Sequence, residues 1–443
     1  MATAPNTLPL RRIRAESRRP SRPRTTPGVL QPWLRAQSIN VTRHAAALRP
    51  FRREEFGTGA AAPSEGHLQV VNGLISRLRR GLSKISKNVT GAIAGAIEQP
   101  GSSQLQQVVI HKDLAHKWVQ GIEKIWDFYF ELFGQRQSKY ANWLLSCDRI
   151  ALDCYRATYT GLGVARSIPA PPPFCFMRTG FAPATIRRGI RLKRLGKQIN
   201  PFPLVQLPYH RLVNPWTLGA VMHEVSHNLQ TELGLSKDVP RSVALRLLNA
   251  GLPKNVASVW ARWNREMFAD MSALLLGGPG VVGSLMDVVG RAPKAVFGFN
   301  SRGVHPTPYL RTLISVELLR RMGFLDEAEQ YRRAWTQLYP NPRAGSIPES
   351  MISTFPEACS LAVDAMCYRP YRSLGDKSLA QVIRFAKKDQ QMIEEAARRL
   401  AAGVDPGIIP ERFLIGATRF ALDRRLARPG VIAKNFYNEL VGR

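Results

Sequence analysis

Asn214-Pro215-Trp216-Thr217-Leu218-Gly219-Ala220-Val221-Met222-His223-Glu224-Val225-Ser226-His227-Asn228-Leu229-Gln230-Thr231-Glu232-Leu233-Gly234 reads as one helix with a start and a stop. Asn is a favoured cap, Pro is favoured at the first helical position, and Gly ends helices well. Inside it, His223 and His227 are four residues apart, one turn along the same face, so their imidazoles can converge on one metal ion. Glu224, between them, can reach a water held at the same point.

A second helix is expected between Lys254-Asn255 and Gly277-Gly278-Pro279. Its segment Glu266-Met267-Phe268-Ala269-Asp270 sets two carboxylates four apart on one face. Glu266 can supply a third ligand and leave a position open for water, and Asp270 can accept the free ring N–H of a liganding histidine and set its tautomer. The bland alternative makes the histidines surface residues and the carboxylates a solvated pair.

HExxH followed by ExxAD resembles the gluzincin metallopeptidases, and within them the minigluzincin group and the heat-shock and CAAX-processing membrane peptidases. The resemblance implies Zn2+ held by His223, His227 and Glu266, with Glu224 as general base and acid and Asp270 behind the ligands. It also implies that substrate adds as an extended strand along an edge ahead of the HExxH helix. Residues 201–212 occupy that place, which marks Leu204, Val205 and Gln206 as substrate contacts. They mix strand formers with three prolines, a composition that suits an exposed edge strand.

Val304-His305-Pro306-Thr307-Pro308-Tyr309-Leu310-Arg311 looks like the His-Pro element followed by an arginine in the membrane-peptidase branch. By that likeness His305 or Tyr309 stabilises the oxyanion. For His305 a cap at a helix start is the rival role. Arg311 is a candidate for the substrate side of the site or for pairing with an acid in its wall. The resemblance spans about residues 200–325, and it departs from the membrane branch in lacking spans.

The chain of 443 residues is long enough for a sizeable core, and 44% hydrophobic with 8% aromatic residues suits a globular protein. The balance of 63 basic against 32 acidic side chains leaves +31, which attracts anionic partners without choosing among them. Cys147, Cys154, Cys175, Cys359 and Cys367 have no metal-ligand spacing and are odd in number, so a reducing compartment is expected. The arginine-rich start has no apolar stretch behind it, which argues for a cytoplasmic, unexported protein. No run of about 18 apolar residues occurs; the nearest, 271–289, is broken by Gly277-Gly278-Pro279 and Asp287, so no integral membrane span is expected.

The expected fold class is α+β, mainly helical: a small mixed or antiparallel sheet with an exposed edge strand over the HExxH helix, plus helical extensions. The expected parts are a disordered basic Arg/Pro-rich tail over 1–64, an amphipathic basic helix over 65–100, a metallopeptidase domain over 101–345 and a helical region over 346–443. Residues 186–197 are the densest basic patch outside the tail, and a solvated face is the plain reading of it.

The expected function is zinc-dependent hydrolysis of a peptide or protein substrate. The rival is an inactive or structural-zinc basic protein that contacts nucleic acid non-specifically, or an anionic membrane surface, through the tail. No recognition-helix, RRM or zinc-finger pattern supports that rival. No cysteine near the motifs is available to close the metal site, and His210 is the nearest other histidine.

Overall fold

The computed structural model describes residues 28–163, 167–180, 182–192 and 198–443. Helix makes up about 70% of the chain and strand 4%, so the protein is α+β and mainly helical, with a three-stranded mixed sheet and a small two-stranded one. It divides into two units: one of residues 74–123 with the described residues up to 50, the other of residues 51–73 and 124–443. No helix among the described residues is long and apolar enough to cross a membrane.

The smaller unit is built from helix Leu30–Ala47 with parts of helices Glu65–Glu98 and Ser102–Gly134. Leu34 and Val41, seven residues apart, lie on one face and are buried with Val89, Ile93, Ala96, Val108 and Ala115. The Ser38 and Thr90 hydroxyls meet at 2.9 Å, and Arg79 Nε donates to the Ala45 carbonyl at 3.1 Å. This corrects the expectation of a disordered tail running to residue 64. Composition averaged over the tail concealed a narrow apolar stripe that needs partners far along the chain. Residues 1–27 of the expected tail lie outside the described residues, as do 193–197 of the basic patch.

In the larger unit, Phe51 and Phe56 come from the same supposed tail, yet both are buried beside Phe133, at ring distances of 6.1 and 5.4 Å. Its sheet consists of β1 (Phe174–Met177), β2 (Ala184–Ile186) and β3 (Leu204–Leu207), in the order β1-β3-β2. β3 runs parallel to β1, with Phe174 opposite Leu204, and antiparallel to β2, with Ala184 opposite Gln206.

The expected edge strand within 201–212 is therefore the central one. The reason is local: Pro203 and Pro208 flank β3 without entering it, so Leu204–Leu207 keeps every N–H the ladder needs. Its neighbours take up both sides. The outer edge of β1 is occupied by side chains: Gln135 bonds the Met177 N–H and carbonyl at 2.7 and 2.9 Å, and Asp148 accepts from the Cys175 N–H at 2.7 Å. β2 is the other edge, and among the described residues no strand pairs with its outer side.

Against the sheet packs the HExxH helix, Gly219–Glu232, which buries Met222, Val225 and Leu229 in one core with Met267, Phe268, Met271 and Leu274 of the glutamate helix, Asn264–Gly277. The HExxH helix starts later than expected. Pro215–Thr217 forms a 3-10 turn, and the Asn214 side chain turns back to the His210 carbonyl at 3.2 Å instead of capping. Gly234 does supply the stop, at φ 74°.

The second expected helix is two, Lys254–Arg262 and Asn264–Gly277, broken at Trp263, which is fully buried. Asn264 Nδ2 satisfies the Ala261 carbonyl across the break at 2.7 Å, and its Oδ1 accepts from Gln230 at 3.1 Å, tying the break to the HExxH helix. Gly278 ends the glutamate helix at φ 70°, where a Cβ would stand 2.1 Å from the Phe385 ring.

Candidate metal centre

The two packed helices bring one nitrogen of each histidine and the Glu266 carboxylate within 4.8 Å of one another. His223 Nε2 lies 3.1 Å from His227 Nε2 and 3.5 Å from Glu266 Oε2; His227 Nε2 lies 3.5 Å from Glu266 Oε1. Donors about 2.0–2.1 Å from a tetrahedral ion stand roughly 3.3 Å apart, so these separations fit a divalent ion held by three protein ligands. Two imidazoles and one carboxylate leave a fourth position open.

Behind the ligands, Asp270 Oδ1 faces His223 Nδ1 at 2.8 Å, which turns Nε2 toward the ligand cluster. Arg311, on helix Pro308–Arg321, grips Asp270 with Nε at 2.6 Å and Nη2 at 2.8 Å. Of the two roles open to Arg311, the pairing one is present, and the residue also lines the cavity that holds the ligands. Its nearest other acid is Glu266, at 3.4 Å.

The charges follow from burial and neighbours. Burial works against a charged His223, but Asp270 outweighs it and lifts the imidazole to about 10. Burial, then the charge of His223, pushes His227 down to about 3. Burial would also raise Glu266 and Asp270; His223 chiefly offsets it for the first and Arg311 for the second, holding both carboxyls below their usual range. An ion entering this centre must therefore displace a proton from His223. Glu224 is buried, and burial pushes its carboxyl up to about 7, the range in which a carboxylate exchanges protons near neutrality.

Glu224 and the ligands line a cavity of about 410 Å³. One wall is apolar, from Ala220, Ala273, Leu274, Val281, Val282 and Leu285. Much of that wall is the segment singled out in the sequence only as the nearest thing to a membrane span. The lining also includes Ala184 and Thr185 of β2. Asn228, next to His227, donates to Thr185 Oγ1 at 2.8 Å and so holds the edge strand against the HExxH helix. The sequence reading passed over Asn228, and no local pattern marks it.

His305 lies in the cavity wall with Nε2 3.5 Å from Glu266 Oε1, and its side chain is 65% exposed. Tyr309 does not join it: the ring is buried against Phe297, 5.4 Å between centroids, its carbonyl accepts from Trp335 Nε1 at 3.1 Å, and it is absent from the cavity wall. The expected oxyanion role for Tyr309 is corrected accordingly. Leu204 and Val205 are fully buried in β3, and with Gln206 they stand outside the cavity, so the expected substrate contacts there are corrected too. Arg187 and Arg265 line the cavity instead. Burial, then the charge of Arg265, lowers the pKa of Arg187. The signals that could have found them are the basic patch beginning at 186 and the position beside Glu266.

Comparison with protein-family models, with curated proteins and with solved structures finds no match to this chain.

Proposed function

We propose that the protein is a zinc-dependent peptidase of the gluzincin type. The observation that carries the reading is the convergence of His223, His227 and Glu266 on one point in a cavity where Glu224 is buried beside them and, among the described residues, has no cationic side chain bonded to it. Zinc bound there supplies a Lewis acid to the scissile carbonyl and to the attacking water.

The remaining work belongs to side chains. Glu224 takes a proton from the attacking water and passes it to the leaving amine, so the peptide bond breaks into a carboxylate and an amine. Asp270 holds the proton of His223 on Nδ1, and Arg311 keeps Asp270 ionised. His305, in the cavity wall, supplies a donor to the oxyanion. The open edge of β2 offers hydrogen bonds to an extended peptide, and the apolar wall receives one of its side chains.

A reducing, cytoplasmic setting belongs to the same proposal. Its support is that all five cysteines are buried and unpaired, with burial pushing the thiols up.

The test is Glu224→Gln, nearly the same size as the native side chain. It is expected to keep zinc and fold while losing cleavage of a peptide library. Equal cleavage by the variant and the unsubstituted chain, or none by the latter, removes the catalytic reading.

A further inference from the structure

Arg187 follows the last residue of β2, and Arg265 stands beside Glu266 in the first turn of the glutamate helix. Strand and helix thus deliver two arginines to the wall of the cavity that holds Glu224. Arg187 is half-buried and donates to Thr231 Oγ1 at 3.0 Å; Arg265 is exposed. Among the described residues, neither pairs with a carboxylate.

Neighbouring arginines are treated otherwise. Arg188 sits 3.4 Å from Glu232 and donates to the carbonyls of Pro169, Ala170 and Pro171, and Arg311 is held by Asp270. Two like charges facing one cavity repel each other, and the repulsion is relieved when an anion sits between them. The planar guanidinium fork suits a carboxylate, the anion every unmodified peptide carries, because both oxygens can be bound at once.

We infer that Arg187 and Arg265 bind a carboxylate of the substrate, so that the preferred peptide carries a negative charge near the scissile bond. The inference rests on the peptidase reading above. The carboxylate has two sources, the free C-terminus of the peptide or an acidic side chain. The net charge of +31 acts in the same direction by drawing acidic peptides toward the molecule.

Binding, not turnover, tests it. The full chain carrying Glu224→Gln, with equimolar zinc, is titrated with four fluorescein-labelled pentapeptides and followed by anisotropy at about 0.15 M salt, where long-range attraction is screened beyond roughly 8 Å. All share an alanine-phenylalanine-leucine core; they end in two glutamates or two glutamines, each as free acid or as amide. The glutamate free acid is expected to bind about tenfold more tightly than the glutamine amide.

On the same background, Arg187→Gln and Arg265→Gln are each expected to remove most of that preference. Lys388→Gln, which removes an equal charge from a helix elsewhere, is expected to leave it. Loss on amidation assigns the C-terminal carboxylate, and loss on changing glutamate to glutamine assigns the side chain. Four peptides binding alike, none binding, or a preference that survives both arginine substitutions overturns the inference. Arg265 is exposed, so its variant keeps the test valid if Arg187→Gln fails to fold. Cleavage by the unsubstituted chain is scored separately. Cleavage of all four peptides alike removes the inference and leaves the peptidase reading standing. An arginine-dependent preference in binding without any cleavage does the reverse.

Discussion

Arg311 holds both oxygens of Asp270, Nε to Oδ2 at 2.6 Å and Nη2 to Oδ1 at 2.8 Å, while the same Oδ1 faces His223 Nδ1. The pair is buried, and it decides which nitrogen of His223 is turned to the ligand cluster. A charge left buried without its partner is costly, so Arg311→Met is expected to lower the unfolding free energy by about 3–5 kcal/mol in a denaturant titration. Asp270→Asn is expected to weaken zinc retention about 10- to 100-fold in competition with a chelator. Unchanged retention in that variant would mean that Asp270 does not support the ligand.

Elemental analysis should find one zinc per chain, and Glu266→Gln should lose most of it. His223, lifted to about 10 because Asp270 outweighs its burial, carries a proton through the neutral range, and that proton competes with the ion. Raising the pH removes the competitor. Zinc affinity should therefore rise by at least about tenfold per pH unit between roughly pH 6 and 8, with one proton released from His223 per ion bound. Affinity independent of pH is the result that excludes His223 as a ligand.

Glu224 acts as a base only when ionised, and burial sets its carboxyl at about 7. A cation beside it pulls that value down. The acid limb of kcat/KM should accordingly lie at or below about pH 7, falling by up to tenfold per pH unit on its acid side. Glu224→Gln should lower kcat/KM by about 10²- to 10⁴-fold and abolish the limb. A limb that persists in the variant belongs to another group.

Leu34 and Val41 anchor helix Leu30–Ala47 in the smaller unit. Leu34→Ala should destabilise that unit by about 2–5 kcal/mol, read as faster amide exchange across residues 30–47 and across the buried positions of residues 89–96. Exchange already at the rate of an unstructured chain in the unsubstituted protein would restore the view of this stretch as a tail.

Non-specific attraction to anions remains an expectation from charge alone. With residues 30–47 forming part of a core, the informative truncation removes residues 1–27 and spares that helix. DNA or anionic vesicles should then bind less tightly, and the slope of affinity against salt should become shallower. An unchanged slope would assign the contact to the described residues.

What the sequence determined by itself was local. His223, His227, Glu266 and Asp270 are legible because a helix repeats every 3.6 residues, so spacing four within a stretch that can only be helical already places side chains on one face. The mainly helical class follows from the same periodicity. Tertiary structure alone decided the matters that depend on distant partners. β3 is central because β1 and β2 flank it, and a strand's own residues do not say how many neighbours it has. Tyr309 and Arg311 share a helix turn, yet packing sends one ring against Phe297 and one guanidinium to Asp270. Arg187 and Arg265 reach one cavity wall from elements 78 positions apart in sequence. Burial, ion pairing and sheet order are properties of surfaces brought together over long loops, and no local pattern encodes which surfaces will meet.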